Sequence, residues 1–200
     1  MTLVRFFLLG IITILSGCSM TPQQPDQPLL NQDSWDTHQQ RQLALENWRM
    51  NGKIGIRTSR ESHSANIHWQ QLSEHYTIEL TGPLGQGGAK IEGNGNGISI
   101  DQAGEEPVWA PSPELLMDRT LGWQFPVREL LFWVRGIPAP NTPFSQTLVD
   151  NRLSSLSQNN WQIKYLRYQR QNQHSLPGKL TISQNDLRIT IVAKEWQILP

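Results

Sequence analysis

The sequence predicts a mainly β fold built on one large antiparallel sheet, and three observations support this. Apolar and polar residues alternate in successive segments from residue 50 onward, which is typical of strands with one buried face. Turn residues separate these segments, as at residues 73–74, 93–96 and 184–186, which favours hairpin connections. This spacing gives roughly ten or eleven strands, and a twisted sheet of that size must curl, close or be covered.

The alternating segments lie in two groups, one before residue 101 and one after residue 150. Their apolar residues are Gly52, Ile54 and Ile56; Ala65, Ile67 and Trp69; Tyr76, Ile78 and Leu80; Ala89 and Ile91; Ile98 and Ile100; Trp161, Ile163 and Tyr165; Leu180 and Ile182; and Leu187, Ile189 and Ile191. The face that these residues form encloses either a packed core or a lipid-sized cavity, and periodicity alone allows both.

A helix over residues 33–49 is predicted ahead of the first strand. Asp33 or Ser34 can cap its first turn, and Leu45 and Trp48 lie three residues apart on one face, with Trp35 upstream. The glutamine-rich remainder of this helix is expected to face water.

Two further helices are predicted between the two groups of strands. The segment 112–117 begins with a capping serine, a proline and an acid, a typical helix start. Pro126 opens the second helix and Gly136 ends it. The apolar residues of that helix fall at i, i+3, i+4 and i+7: Val127, Leu130, Leu131 and Val134.

The N-terminus carries the pattern of an exported, lipid-modified protein. Arg5 precedes an apolar run over residues 6–15 that ends in Leu-Ser-Gly-Cys at residues 15–18. A bilayer-spanning helix needs about 20 residues, so this run indicates a signal peptide rather than an anchor. The tetrapeptide resembles the lipobox of bacterial lipoprotein precursors. The single cysteine, Cys18, is therefore the predicted lipid anchor; the alternative is a plain secretory signal with a chance cysteine.

The chain is accordingly divided into three parts. Residues 1–17 form the signal peptide, residues 18–32 carry the lipidated cysteine and a flexible tether rich in Pro and Gln, and residues 33–200 form a single domain. Diacylglycerol and a further acyl chain on Cys18 would hold that domain to a membrane, since each buried CH₂ contributes about 0.8 kcal/mol. Ser19 stands where lipoproteins retained in the inner membrane carry Asp, which favours the outer membrane.

Composition and motifs exclude several classes of function. Lys plus Arg and Asp plus Glu both number 17, so the net charge is zero, and the basic surface of a nucleic-acid binder is not expected. The histidines show no metal-ligand spacing, and no Gly-x-Ser-x-Gly motif occurs. We therefore predict no catalytic residue, no metal site and no cofactor besides the covalent lipid.

Two features point towards lipid. Of the eight tryptophans, most are expected in the core, but some could line a pocket for acyl chains, and Trp69 is the best candidate. In the Gly- and Pro-rich segment 81–88, Leu84 has few neighbours that could bury it. Leu84 is either an ordinary exposed leucine or, beside a membrane, a group that enters lipid.

The sequence resembles the LolB family of outer-membrane lipoproteins over nearly all of the mature chain. The matching segments are the lipobox; Trp69-Gln70-Gln71 with Tyr76; Pro83-Leu84-Gly85; Leu121-Gly122; the segment from Pro126 to Arg135-Gly136-Ile137-Pro138; residues 160–165; and residues 187–191 with Trp196. Their order and spacing together carry the resemblance. The hairpin at residues 82–88 is richer in glycine than the family pattern.

The resemblance implies an unclosed antiparallel β-barrel of about eleven strands, with an N-terminal helix and inserted helices covering an apolar cavity. It implies a monomer on the periplasmic side of the outer membrane that accepts client lipoproteins from the soluble carrier LolA. The client then passes into the inner leaflet of the outer membrane without nucleotide. Pro83, Leu84 and Gly85 correspond to the membrane-insertion loop. The residues predicted to line the acyl-chain cavity are Trp69, Tyr76, Ile78, Leu80, Leu130, Leu131 and Val134.

Two alternatives from other classes remain at this point. A structural lipoprotein of an outer-membrane assembly would have an exposed apolar patch but no cavity. A lipid-acting hydrolase would need a nucleophile with a base in reach, and no such spacing is found.

Overall fold

A computed structural model describes residues 33–82, 87–102, 104–112, 116 and 126–200. The predicted signal peptide, Cys18, the tether and the insertion-loop residues Pro83, Leu84 and Gly85 lie outside these ranges. In the part of the chain that is described, no helix is long and apolar enough to span a membrane.

The described residues form an antiparallel sheet with two helices. The strands are β1 (Asn47–Arg57), β2 (Ser62–Leu72), β3 (His75–Thr81), β4 (Gly88–Asn94), β5 (Gly97–Gln102), β6 (Val108–Ala110), β7 (Phe144–Val149), β8 (Arg152–Gln158), β9 (Trp161–Gln171), β10 (His174–Gln184) and β11 (Leu187–Ile198); the helices are α1 (Trp35–Leu43) and α2 (Val127–Trp133). The order is β6-β5-β4-β3-β2-β1-β11-β10-β9-β8-β7. Strands β6 and β7 end this order, and among the described strands they do not pair with each other. The barrel is therefore unclosed, and the predicted fold class is confirmed.

The first and last strands meet in the middle of the sheet. Strand β1 pairs with β2 on one side and with β11 on the other, and the β1–β11 register shifts between Asn51 and Gly52. At this shift a Cβ on Gly52 would overlap the backbone carbonyl of Val192. Glycine therefore permits the close approach of the two strands at this seam.

The predicted alternation is present, and it gives the sheet a buried inner face and an outer face. Trp48, Met50 and Ile54 of β1, for example, are buried, while Lys53 and Arg57 are exposed. The inner face of β11 continues the same cluster through Ile189 and Ile191. Strands β6, β7 and β8 were included in the expected number of strands but were not located by alternation.

The two ends of the sheet hold different parts of the chain. One end, called the near end, holds the start of β1, the turn after Leu72 and the turn after Gln171. Helix α1 lies at this end too, since its Gln42 bonds Ser175 at the start of β10. At the far end, β3 stops at Thr81 and β4 begins at Gly88. Gly82 and Gly87, the described residues on either side of residues 83–86, therefore lie at the end opposite α1.

The prediction of a helix over residues 33–49 is wrong at its C-terminal end. Helix α1 spans Trp35–Leu43, and Ser34 caps it by accepting a hydrogen bond from the Thr37 N–H at 3.2 Å. Trp48 lies in β1, where it pairs with Gln71 of β2 and Ile198 of β11. Residues 48–56 alternate between apolar and polar side chains, as a strand does. They pair with β2 on one side and β11 on the other, and this pairing makes the segment a strand.

The glutamine-rich side of α1 does not face water throughout. His38 and Gln42 are fully buried, whereas Leu43 is exposed. Gln42 Nε2 donates to the carbonyl of Ser175 at 3.3 Å, so α1 packs a polar side on the start of β10. A buried amide is tolerated there because it finds a backbone acceptor.

The second predicted inserted helix is found as α2. It follows Pro126 and is capped by Val134, with Gly136 in a left-handed conformation (φ 80°) shortly after it. Of the first inserted helix, only Leu116 and Ser112 are among the described residues; Leu116 is helical and buried, and its N–H donates to the Ser112 carbonyl at 3.3 Å.

Candidate functional site

The four predicted cavity residues on strands share the inner face. Trp69 of β2 pairs with Ile78 of β3, and Leu80 and Tyr76 pair with its inner-face neighbours Ile67 and Gln71. Trp69, Tyr76 and Ile78 are buried, and Leu80 is partly buried against the same apolar cluster. The register therefore places these side chains together, as one-face alternation requires.

The three predicted cavity residues in α2 and at its C-cap join this cluster. Leu130 and Val134 are buried in it, and Leu131 is partly buried and packs against it. Trp133 of α2, which was not among the predicted cavity residues, is also fully buried. The inner face of the sheet and α2 thus form one continuous apolar environment; its role in holding acyl chains stays a prediction.

Three tryptophans form a contact group within the inner face. The Trp48 ring lies 5.3 Å from that of Trp69 and 5.1 Å from that of Trp196, measured between centroids. Trp196 Nε1 donates to the carbonyl of Pro177 at 3.0 Å. The Nε1 atoms of Trp48 and Trp69 are buried, and no described residue supplies an acceptor to either. Trp48 was missed because it was assigned to a helix, although its alternation with Met50 and Gly52 could have placed it.

Arg135 connects the C-terminal ends of both helices. Its Nη1 donates to the carbonyls of Gln42 and Leu45, both at 2.8 Å, and its Nε donates to the carbonyl of Leu131 at 2.9 Å. The guanidinium also lies over the Phe132 ring, 5.1 Å from the centroid. Burial lowers the pKa of Arg135 to about 10, so the group stays charged at neutral pH and stabilises the negative ends of the helix dipoles.

Gln158 joins the segment after α2 to the sheet. Its Oε1 accepts from Trp133 Nε1 at 2.8 Å and from the Ala139 N–H at 2.9 Å. Its Nε2 donates to the carbonyls of Ala139 at 2.8 Å and Thr142 at 3.1 Å. Both amide atoms therefore have two partners, although the residue is only 1 % exposed. These hydrogen bonds hold α2 and the segment after it against β8.

Helix α1 carries a buried histidine, His38. Burial, and then the charges of Arg152 and Arg41, lower the pKa of His38 from 6.5 to about 3. Burial also lowers the pKa of the neighbouring His174. The His38 imidazole is therefore neutral at neutral pH, in keeping with its place in the packing rather than in acid–base chemistry.

We expect acid to destabilise the domain through His38. Between pH 6.5 and about 3 the unfolded chain binds a proton on this imidazole and the folded chain does not. The contribution of neutral His38 to the free energy of unfolding is therefore fully present above pH 6.5 and decreases as the pH falls towards 3. At one pKa unit per 1.36 kcal/mol, the free energy of unfolding should be about 2 kcal/mol lower at pH 5 than at pH 7. Urea unfolding at both pH values measures this, and His38→Gln should remove most of the difference. An equal decrease in the variant would contradict the assignment.

An open cavity of about 370 Å³ lies across β3 to β6. It is lined by a register row on the outer face, Thr77, Glu92, Ser99 and Trp109, and it also reaches Tyr76. Trp109 is 63 % exposed. This cavity is mostly separate from the predicted acyl site, since Tyr76 is the one predicted cavity residue in its lining. Within the described ranges, no group of three or more His, Cys, Asp or Glu is placed to hold a metal ion.

Comparison with known proteins assigns the family. The model of the family described as outer membrane lipoprotein LolB matches residues 46–196, most of the chain. The chain belongs to the LolB family. The LolB lipoprotein of Pseudomonas aeruginosa is 41 % identical over 98 % of this chain and 97 % of its own length. That of Pseudomonas putida is 40 % identical over 94 % and 92 %.

Solved structures agree on the fold of this LolB-family chain. A LolA superfamily protein from Nitrosomonas europaea matches with a TM-score of 0.54 at 5 % identity, covering 84 % of this chain and 94 % of its own. A DUF1329 family protein from Desulfovibrio piger gives 0.52 at 4 % identity, over 82 % and 91 %. At such identities the likeness concerns the fold alone. Through the family, the predicted outer-membrane lipoprotein and the prediction that the chain is not an enzyme are confirmed.

Proposed function

We propose that the chain accepts lipoproteins from the periplasmic carrier LolA and inserts them into the inner leaflet of the outer membrane. The observation that supports this most directly is the continuous apolar inner face, with α2 packed on it. Acyl chains prefer such an environment to water by about 25 cal/mol per Å² of apolar surface. Transfer then requires a gradient of affinity from carrier to receptor to bilayer, and no nucleotide.

In this proposal, Trp69, Tyr76, Ile78 and Leu80 of the strands contact the acyl chains from one side. The contacts from the other side are made by Leu130 and Leu131 of α2 and by Val134, which caps that helix. These seven residues already share one apolar cluster, so a bound chain must displace contacts between side chains. Such contacts are individually weak, which suits a protein that must also release its cargo.

The remaining parts of the proposal concern the membrane. Removal of residues 1–17 would free Cys18 to carry diacylglycerol and an acyl chain, which anchors the protein as a monomer at the outer membrane, facing the periplasm. Residues 83–85, with Leu84 at their centre, would enter the bilayer during delivery. No cofactor besides the covalent lipid is involved.

Replacing Leu84 with Glu tests the delivery step. Moving a carboxylate into hydrocarbon has a high free-energy cost. The full-length lipidated variant should therefore still take a radiolabelled lipoprotein from LolA, but it should deliver at least about tenfold less of it to liposomes. Flotation of the liposomes measures delivery, and co-purification measures acceptance. Leu166→Glu is the matched control, because Leu166 is a leucine on β9 that is 56 % exposed.

The outcomes separate the possible functions. Acceptance retained with delivery lost in Leu84→Glu, and both steps retained in Leu166→Glu, would support the insertion loop. Both steps unchanged in Leu84→Glu would make Leu84 an ordinary exposed leucine. Failure of the wild-type protein to accept any lipoprotein would contradict the receptor function and favour a structural lipoprotein.

A further inference from the structure

We infer that the indole N–H groups of Trp48 and Trp69 donate hydrogen bonds to carbonyl oxygens of the bound lipid, so that the inner face distinguishes ester- or amide-linked acyl chains from plain hydrocarbon. This inference rests on the proposed lipid-binding function. It adds a polar element to a site that would otherwise select by apolar contact alone.

The two indoles lack what buried donors ordinarily have. Trp48 is 1 % exposed and Trp69 is 0 % exposed, and among the described residues neither Nε1 atom has an acceptor within hydrogen-bond distance. An N–H that is removed from water without a new partner costs stability. The two indole rings are in contact, with centroids 5.3 Å apart, so both unpaired donors belong to one pair of rings within an apolar face.

Two other indoles in the same core do have acceptors. Trp196 Nε1 donates to the carbonyl of Pro177 at 3.0 Å, and Trp133 Nε1 donates to Gln158 Oε1 at 2.8 Å. Trp196 contacts Trp48 directly. The core thus supplies acceptors for indoles that serve packing, and the two without acceptors lie on the adjoining strands β1 and β2.

The neighbouring polar atom fits the same kind of ligand. Gln71 pairs with Trp48 across β1 and β2. In the part of the chain that the structure describes, its Oε1 is buried without a donor, while its Nε2 donates to the carbonyl of Ser73 at 2.6 Å. A lipid ester offers a carbonyl to the indoles, and an amide-linked chain also offers an N–H to this oxygen. A purely hydrocarbon ligand would leave all of these atoms unpaired.

A pair of matched ligands tests the inference. One is a diacylglycerol with ester-linked chains, and the other is the dialkyl glycerol ether with chains of equal length. Both compete with a fluorescent fatty acid bound to the full-length protein in a non-ionic detergent. The ratio of their affinities is compared between wild type and variants, so that partition into micelles cancels. The informative variant replaces the Trp69 indole by its 3-benzothienyl analogue, which keeps the shape and removes the N–H; the same replacement at Trp48 and a Trp69→Phe variant accompany it.

The wild-type protein should prefer the ester, and each analogue should reduce that preference about three- to tenfold, the range of one neutral hydrogen bond. Without ligand, the unfolding temperature of the two benzothienyl variants should not fall, whereas Trp69→Phe should lower it because the smaller ring leaves a cavity in the core. The same analogue at Trp196 is the control: it should lower the unfolding temperature and leave the preference unchanged. Equal affinity of the wild type for ester and ether, or a preference that survives replacement of both indoles, would overturn the inference while leaving lipid binding intact. Failure of both ligands to compete would instead overturn the proposed lipid binding.

Discussion

Replacing Arg135 with methionine is expected to lower the free energy of unfolding by about 3 to 5 kcal/mol, because buried carbonyls of Gln42, Leu45 and Leu131 lose their donor together and each costs about 1–3 kcal/mol unpaired. Urea unfolding followed by tryptophan fluorescence measures this. Arg57→Met, at an exposed position of β1, should stay within about 0.5 kcal/mol of wild type.

The same substitution should also loosen the helices from each other, since Arg135 is the side chain that bonds both C-terminal ends. Hydrogen exchange should rise in α1 and α2 before it rises in β1 or β11. Arg135→Lys keeps a charge but cannot span the three carbonyls with a planar group, so an intermediate loss of stability is expected. Wild-type stability in Arg135→Met would show that these carbonyls find water or other donors.

Replacing Gln158 with leucine should cost about 3 kcal/mol. Leucine has a similar volume, but Trp133 Nε1 and both backbone groups of Ala139 lose their partners in a buried site, and unpaired buried groups are costly. Gln162→Leu is the matched control, since Gln162 lies on the facing strand β9 with an exposed amide that donates to Ser157 Oγ. Chemical denaturation of the two variants gives the comparison; equal losses would show that the network around Gln158 adds nothing.

The sheet could be predicted from the sequence wherever alternation was regular. Residues 65–80 gave the face of Trp69, Ile78 and Leu80, and antiparallel pairing in register preserved it. Alternation fails where the strand is irregular: the β7–β8 register shifts between Thr147 and Leu148, which changes the phase of the pattern. Strand β6 has three residues, too few for a period to be recognised.

Polar contacts could not be predicted in the same way. The burial of Gln42 and Gln158 depends on acceptors and donors far along the chain, such as Ser175 and Ala139. Local composition predicted that the polar side of α1 faces solvent. Tertiary packing instead buries His38 and Gln42 on that side. The segment 135–138 contributed to the family resemblance, yet the role of Arg135 became visible only when the two helix ends were seen together.

The placement of α1 and Thr81 at opposite ends of the sheet has a consequence for how substitutions combine. The seven residues of β3 measure roughly 20 Å, so a change in α1 and a change beside Thr81 lie farther apart than the roughly 7–10 Å within which substitutions couple. Their effects on the free energy of unfolding should therefore add. In the proposed function, delivery can then be altered at one end of the sheet without altering the packing of α1 at the other.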